Sequence, residues 1–320
     1  MMPEFSNWMQ DITYDVSVCE AARRSLRAKL SMVEHYLPLA AKHATEDIEH
    51  VHRLRVATRR TIAALTLFAD VLPVKQTRWL RKHLKRLRRA TGKARDLDVV
   101  ASKQAGQRFK RSLKFAKRIH RERKLAQRPI NKFYRRLIPN DSLARHVDDF
   151  LDQIGKDPAG SEHACFGDWA RSRLECVVRR FFESVPRQKN DLKSLHRFRI
   201  RGKQLRYAME LLAPAFPPEF HEELSPIVET LQDRLGKIND HAVGCARFER
   251  WIKSSKKKHR RYLRKQLNRE RGKLKSSMRK FDRWWTPEFS NEVLERFDRI
   301  LNPHPLTMLN TAGHSDPVCR

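Results

Sequence analysis

Glycine is scarce in this chain, ten residues in 320, which argues against a fold rich in tight turns or glycine loops. No Walker-type loop and no G-x-G-x-x-G occurs, so the usual phosphate-cradling turns of nucleotide enzymes are missing. Cysteine is scarcer still. Cys19, Cys165, Cys176, Cys245 and Cys319 are scattered, odd in number and without a C-x-x-C pair. Such spacing offers neither a disulfide framework nor a zinc site, and it fits a reducing compartment. No apolar run approaches the ~20 residues that a membrane helix needs, and Met1–Val18 lacks the basic-then-apolar pattern of a secretory signal. A soluble, cytoplasmic protein with no membrane contact is expected. No serine or cysteine nucleophile stands in a recognisable elbow and no zincin helix occurs. Carboxylates are scarce within the segments that the chain repeats, so metal-assisted phosphoryl transfer would have little to hold its ion. The sequence therefore predicts no enzyme and no cofactor.

What is abundant is positive charge. Lys and Arg number 69 against 37 Asp and Glu, a formal net charge of +32. An excess of that size repels itself in the compact state and favours association with polyanions. Apolar residues make up 40% of the chain, enough for a sizeable core in one or two domains.

Much of this charge is written twice. His52-Arg53-Leu54-Arg55 recurs as His196-Arg197-Phe198-Arg199, and Gly92-Lys93-Ala94-Arg95-Asp96 recurs as Gly236-Lys237-Ile238-Asn239-Asp240. Pro73 matches Pro217, Leu87 matches Leu231, and upstream Arg27 matches Arg171, all at an offset of 144. Between 51–100 and 195–244 the register never slips, and 13 of 50 positions are identical. The period far exceeds a solenoid unit, so the pattern reads as one duplicated half-domain.

Almost every periodic stretch reads as helix. Leu26, Leu30, Val33 and Leu37 mark a first helix, and Leu174, Val177 and Phe181 its counterpart. The second helix runs from about 50 to 69, with Leu54, Ile62, Leu65 and Phe68 on its apolar face. Its copy runs from about 195 to 213, with Phe198, Leu205, Met209 and Leu212. A third helix in each half is predicted to end at Gly92 and Gly236, because glycine suits a helix terminus. A fourth, long helix follows, marked by Phe109, Leu113 and Ala116, then by Leu263, Leu267, Leu274, Met278 and Phe281. The expected fold is all-α, two antiparallel four-helix bundles related by a pseudo-twofold internal duplication. Residues 1–16 form a lead segment, 17–302 the domain (half-repeats 17–137 and 161–285) and 303–320 a loose tail. The seam falls in the Pro- and Gly-containing connection Ile138–Gly160.

The candidate site follows from the repeat. His52, Arg55 and Arg59 fall at i, i+3 and i+7, one stripe of the second helix, with Arg60 beside it. In the copy the stripe is His196, Arg199 and Lys203, extended by Arg206. Cations stacked on one helix face destabilise it by a few tenths of a kcal/mol per pair, which an anion seated there would offset. The alternative is pairing with carboxylates of neighbouring helices. Asp96 and Asp240 are the obvious partners, unless they are N-caps of the fourth helix. Arg78–Arg95 holds nine Lys or Arg and no acid. Its Lys85, Arg88, Arg89 and Lys93 join the candidates, with Lys237 from the copy. The runs Lys103–Arg136 and Lys253–Arg283 carry fourteen and fifteen basic residues and read equally well as solvated faces. A metal at His52 and His196 is not expected, since adjacent arginines would repel it.

Paired H-x-x-R helices, each followed 40 residues later by a Gly-Lys element, resemble the CHAD family, the conserved-histidine α-helical domain. The carrying stretches are VHRLRVATRRTIAALTLFADVLP with LRRATGKARDLDVV, and LHRFRIRGKQLRYAMELLAPAFP with LQDRLGKINDHAV. The resemblance covers roughly 17 to 283. It implies two four-helix bundles around a basic central channel that binds inorganic polyphosphate without catalysis. It also implies recruitment to polyphosphate granules or to polyphosphate-metabolising proteins. The E-x-E-x-K strand of the triphosphatase domain fused to some relatives is absent, so a stand-alone binding form is expected. Two departures stand out: Gly202 lies inside the second stripe helix, where it costs up to about 1 kcal/mol against alanine, and Gln204 replaces the second basic residue of the Arg59-Arg60 pair. The rival reading is a nucleic-acid-binding module, which a pI near 10.6 suits equally well. Against it, aromatics are only 8% and none but Tyr207 lies among the basic stripes, where stacking on bases would need them.

Overall fold

Helix is the rule throughout the computed structural model, which describes residues 12–105, 113–137, 142–156, 165–186 and 191–302. Strand pairing among these residues is confined to one isolated antiparallel bridge, Ser17 with Cys165. The chain divides into two compact units between Phe166 and Gly167.

In the first unit, α1 (Val18–Lys42) opens at Ser17, whose hydroxyl accepts from the Glu20 backbone N–H at 3.2 Å, satisfying one of the helix's free donors. It packs along α2 (Glu49–Leu67), with Thr61 Oγ1 donating across the contact to the Lys29 carbonyl at 3.1 Å. α3 (Val74–Ala105) and α4 (Leu113–Leu137) follow. The predicted core is present: Leu26, Leu30, Val33, Leu37, Leu54, Leu65, Phe68, Leu80, Leu84 and Leu87 are all buried. Ile62 is only half-buried, and Val51, Ala57 and Thr61 complete the inner face of α2 instead. A fifth helix, α5 (Ser142–Asp152), lies inside the stretch expected to be a plain connection. It is clamped by Arg23, which donates to the carbonyls of Leu151 (3.3 Å) and Ile154 (2.8 Å). His146 adds a stack on Trp79 of α3, centroids 4.2 Å apart.

The second unit repeats the plan: α6 (Phe166–Phe182), α7 (Leu192–Leu212), α8 (Ser225–Lys253), α9 (Lys257–Trp284) and α10 (Pro287–Leu301). A 3-10 turn, Ala213–Ala215, and a π-helical turn, Phe220–Leu224, link α7 to α8. Phe181, Phe198, Phe281 and Trp285 form its aromatic centre, Phe181 stacking on Phe198 at 4.9 Å. On α6 the buried residue is Val178 rather than Val177. Each half thus carries its four expected helices and adds a short fifth, α5 and α10.

Two expectations about glycine fail. α3 runs unbroken through Gly92 and α8 through Gly236, because Leu87, Thr91, Ala94 and Leu97, and likewise Leu235 and Ile238, carry the buried helical period straight past them. Asp96 and Asp240 consequently lie inside helices and are not N-caps. The fourth helices begin only at Leu113 and Lys257; Phe109 and the tail 303–320 lie outside the described residues. Cys19, Cys165 and Cys245 take part in no disulfide. None of the helices among the described residues is long and apolar enough to cross a membrane.

Gly202 has a packing reason. A Cβ there would stand 2.5 Å from Gln232 Nε2 and 3.0 Å from Leu231 Cδ2, both on α8, so the missing side chain lets α7 and α8 approach. Gly236, by contrast, would meet nothing within 4 Å. Gly236→Ala is therefore expected to stabilise the protein by about 0.5–1 kcal/mol. Gly202→Ala is expected to destabilise it by about 1–3 kcal/mol, because the side chains it would displace are themselves buried. Urea titration of both variants checks the pair; a stabilised Gly202→Ala would refute the close-approach argument.

Candidate functional site

None of the thirteen candidate residues is buried. His52, Arg55, Arg59, Arg60, Arg88, Arg199, Lys203 and Arg206 are half-exposed, and Lys85, Arg89, Lys93, His196 and Lys237 are exposed. The stripes flank the apolar faces of α2 and α7, as the spacing predicts.

In the first half, α2 and α3 join through a guanidinium. Arg55 Nη1 donates to the Arg88 carbonyl on α3 at 2.8 Å, and the same group would sit 3.2 Å from a Cβ at Gly92. The repeated glycine thus leaves room for an arginine laid against the α3 backbone. Arg59 Nε is buried without a hydrogen-bond partner, so desolvation is only partly offset there. Lys85, Arg89 and Lys93 follow at i, i+4 and i+8 on the adjoining face of α3, where they share one side of the helix.

Two acidic residues that the motif did not reveal also belong here. Glu49 accepts from Arg95 Nη1 at 3.2 Å, and this pair stands beside His52. Burial, then repulsion from Arg95, Arg59 and Arg55, holds His52 below the usual histidine range, with Glu49 opposing. Asp98, almost fully buried, accepts from Arg123 Nε of α4 at 2.6 Å; burial raises its pKa even so. Arg123 is therefore structural charge within the basic run of α4, as Arg271 is on α9, where it pairs with Glu249 at 2.8 Å.

The second half is built on the same positions with different charges. His196 Nδ1 lies 3.2 Å from Asn239 Oδ1, and 196 and 239 are the repeat equivalents of His52 and Arg95. Arg206 is engaged at both ends: Nε donates to buried Glu210 at 3.0 Å and Nη2 to Glu229 at 3.1 Å. Arg201 donates to Gln204, the departure noted above, at 2.9 Å. An open cavity of about 880 Å³ lies on another flank of α7, lined by Arg180, Glu183, Asp191, Arg197 and Arg201 among others. None of the stripe residues lines it. Among the described residues no group of three or more His, Cys, Asp or Glu is arranged to hold a metal ion.

The family model for the CHAD domain matches residues 24–249. Two solved structures are similar in fold. The crystal structure of the CHAD domain from the plant Ricinus communis has a TM-score of 0.66 at 19% identity, covering 89% of this chain and 93% of that one. PptA from Streptomyces chartreusis has a TM-score of 0.59 at 14% identity, covering 87% of this chain and 99% of that one. No curated protein sequence matches this chain significantly.

The lowered histidines give the site a pH signature. His83 on α3 is depressed as well, chiefly by burial. An unfolded histidine titrates near about 6.5. Since both folded values lie lower, the unfolded chain takes up protons first as pH falls. The stability that these neutral rings contribute is complete above the unfolded value and is lost on acidification through the folded ones. His52→Gln is expected to lose less melting temperature than the parent between about pH 7 and about pH 5. An unchanged acid loss would assign the effect to other groups.

Proposed function

The chain belongs to the CHAD domain family, and from that premise we propose that it binds inorganic polyphosphate through the cations its two halves repeat. The observation that carries this reading is the recurrence, in register, of a solvent-accessible cationic stripe on α2 and again on α7. Around α2, Glu49 pairs with Arg95, and Arg55 donates to a backbone carbonyl. A net charge of +32 adds long-range attraction for any polyanion.

The mechanism is electrostatic and involves no bond making. Polyphosphate carries about one negative charge per phosphate, and cations that engage it release condensed counterions, as they do on nucleic acid. Arg55, Arg59, Arg60, Arg88, Arg89 and Arg199 supply forked donors that fit phosphate oxygens bidentately; Lys85, Lys93, Lys203 and Lys237 act as mobile point charges. His52 and His196 donate to phosphate oxygen, and an anion beside His52 offsets the burial and the cationic repulsion that together lower its pKa. Protonation and binding then reinforce one another below neutral pH. We further propose that this binding directs the protein to polyphosphate granules or to proteins that metabolise polyphosphate.

Arg55→Ala combined with Arg199→Ala is expected to weaken polyphosphate binding at least about tenfold and to lower the salt slope by about 1.5. Fluorescence titration over a salt series reads both. Competition at about 150 mM salt against single-stranded RNA and duplex DNA, matched for phosphate, tests the ligand. Polyphosphate is expected to resist displacement; equal displacement would make the surface a general polyanion binder.

A further inference from the structure

The repeat makes the two halves comparable position by position, and at several positions they carry opposite charge. Lys85 on α3 corresponds to Glu229 on α8 at the constant offset of 144. Along the same faces Arg88 corresponds to Gln232, Arg89 to Asp233 and Lys93 to Lys237. Four cations in the first half are thus answered by a single one in the second. The opposing helix changes in step: Arg206 replaces Ile62, and Glu210 replaces Thr66. The new arginine and both new acids form one bridged cluster, Arg206 Nε on Glu210 at 3.0 Å and Nη2 on Glu229 at 3.1 Å.

Within this cluster the two acids differ in kind. Glu210 is buried, so its charge requires Arg206 as a partner. Glu229 is mostly exposed, with 59% of its side chain accessible. It is not needed to satisfy the interior, and it caps the outward end of a guanidinium that already has a buried partner. A carboxylate so placed occupies the position on Arg206 that a phosphate oxygen of an incoming chain would take.

We propose that Glu229 is an internal competitor for the polyanion, which withholds Arg206 and makes the α7–α8 face the weaker of the two. This rests on the polyphosphate reading above and assigns unequal roles within it. The α2–α3 face binds tightly and sets affinity. The α7–α8 face engages only when the ligand outcompetes the carboxylate, so its contribution rises with local phosphate concentration. Arg206 consequently takes part in binding only after exchange of Glu229.

Glu229→Gln removes the competitor with almost no change of shape, and Glu229→Lys restores the residue of the first half. Glu175→Gln on α6, also exposed, makes the same change of net charge elsewhere. In a salt series with long-chain polyphosphate, Glu229→Gln is expected to tighten binding about two- to fivefold more than Glu175→Gln. Glu229→Lys is expected to tighten it further, and the excess is expected to vanish in an Arg206→Gln background. Equal gains for Glu229→Gln and Glu175→Gln would overturn the proposal, as would an excess that survives loss of Arg206. Should Arg206→Gln fail to fold, because buried Glu210 then loses a charged partner, the comparison of the two glutamine variants decides alone. The Arg55→Ala, Arg199→Ala variant run in parallel separates the two levels. If it loses affinity while Glu229→Gln does nothing special, only the competitor fails; if it too is silent, the site itself lies elsewhere.

Discussion

The rest of the basic face depends on how Arg55 is held. A guanidinium laid on the α3 backbone needs a carbonyl to accept from it and a missing Cβ to make room, and Arg88 and Gly92 supply these one helical turn apart. The bond fixes the separation of α2 from α3 and presents His52, Arg59, Lys85, Arg89 and Lys93 from two adjoining helix faces. The acceptor is a neutral carbonyl, so a backbone dipole makes this join between the two helices.

Where carboxylates are used, they mark charge that has become structural. Arg123 with Asp98, Arg271 with Glu249 and Arg95 with Glu49 each tie one helix to another. Exposed pairs of this kind contribute at most about 1 kcal/mol, whereas Asp98 is buried and would be costly to strand without Arg123. The long basic runs of α4 and α9 are thus mixtures of anchoring cations and solvated ones. Composition alone does not separate these, because the distinction lies in which acid on the neighbouring helix lies within reach.

Much of the fold was legible in the sequence. The 144-residue register located both stripe helices, and the 3.6-residue period of Leu26 to Leu37 and of Leu80 to Leu87 identified residues that are indeed buried. The misreadings have a common origin. Gly92 and Gly236 were assigned to helix ends by a local preference, while their helices continue because the buried period on either side outweighs about 1 kcal/mol of glycine propensity. The two glycines then part ways, one beneath an arginine and the other facing open space, a difference that no spacing rule expresses. The α5 helix was hidden because the stretch read as a connection on its flanking prolines and glycines, while Leu143, Val147 and Phe150 supply an apolar side of their own. Of the site, the cations were visible and their counter-ions were not. Glu49, Glu210 and Glu229 belong to no motif, and they matter only because the fold brings each to an arginine.

The bridge between Ser17 and Cys165, with Phe166 N–H donating to the Val16 carbonyl at 2.9 Å, brings the start of α1 beside the start of α6. The chain therefore enters and leaves its first unit at one place. A segment whose ends meet can be copied in tandem without a connector to span it, and each copy can close on itself before the next is made.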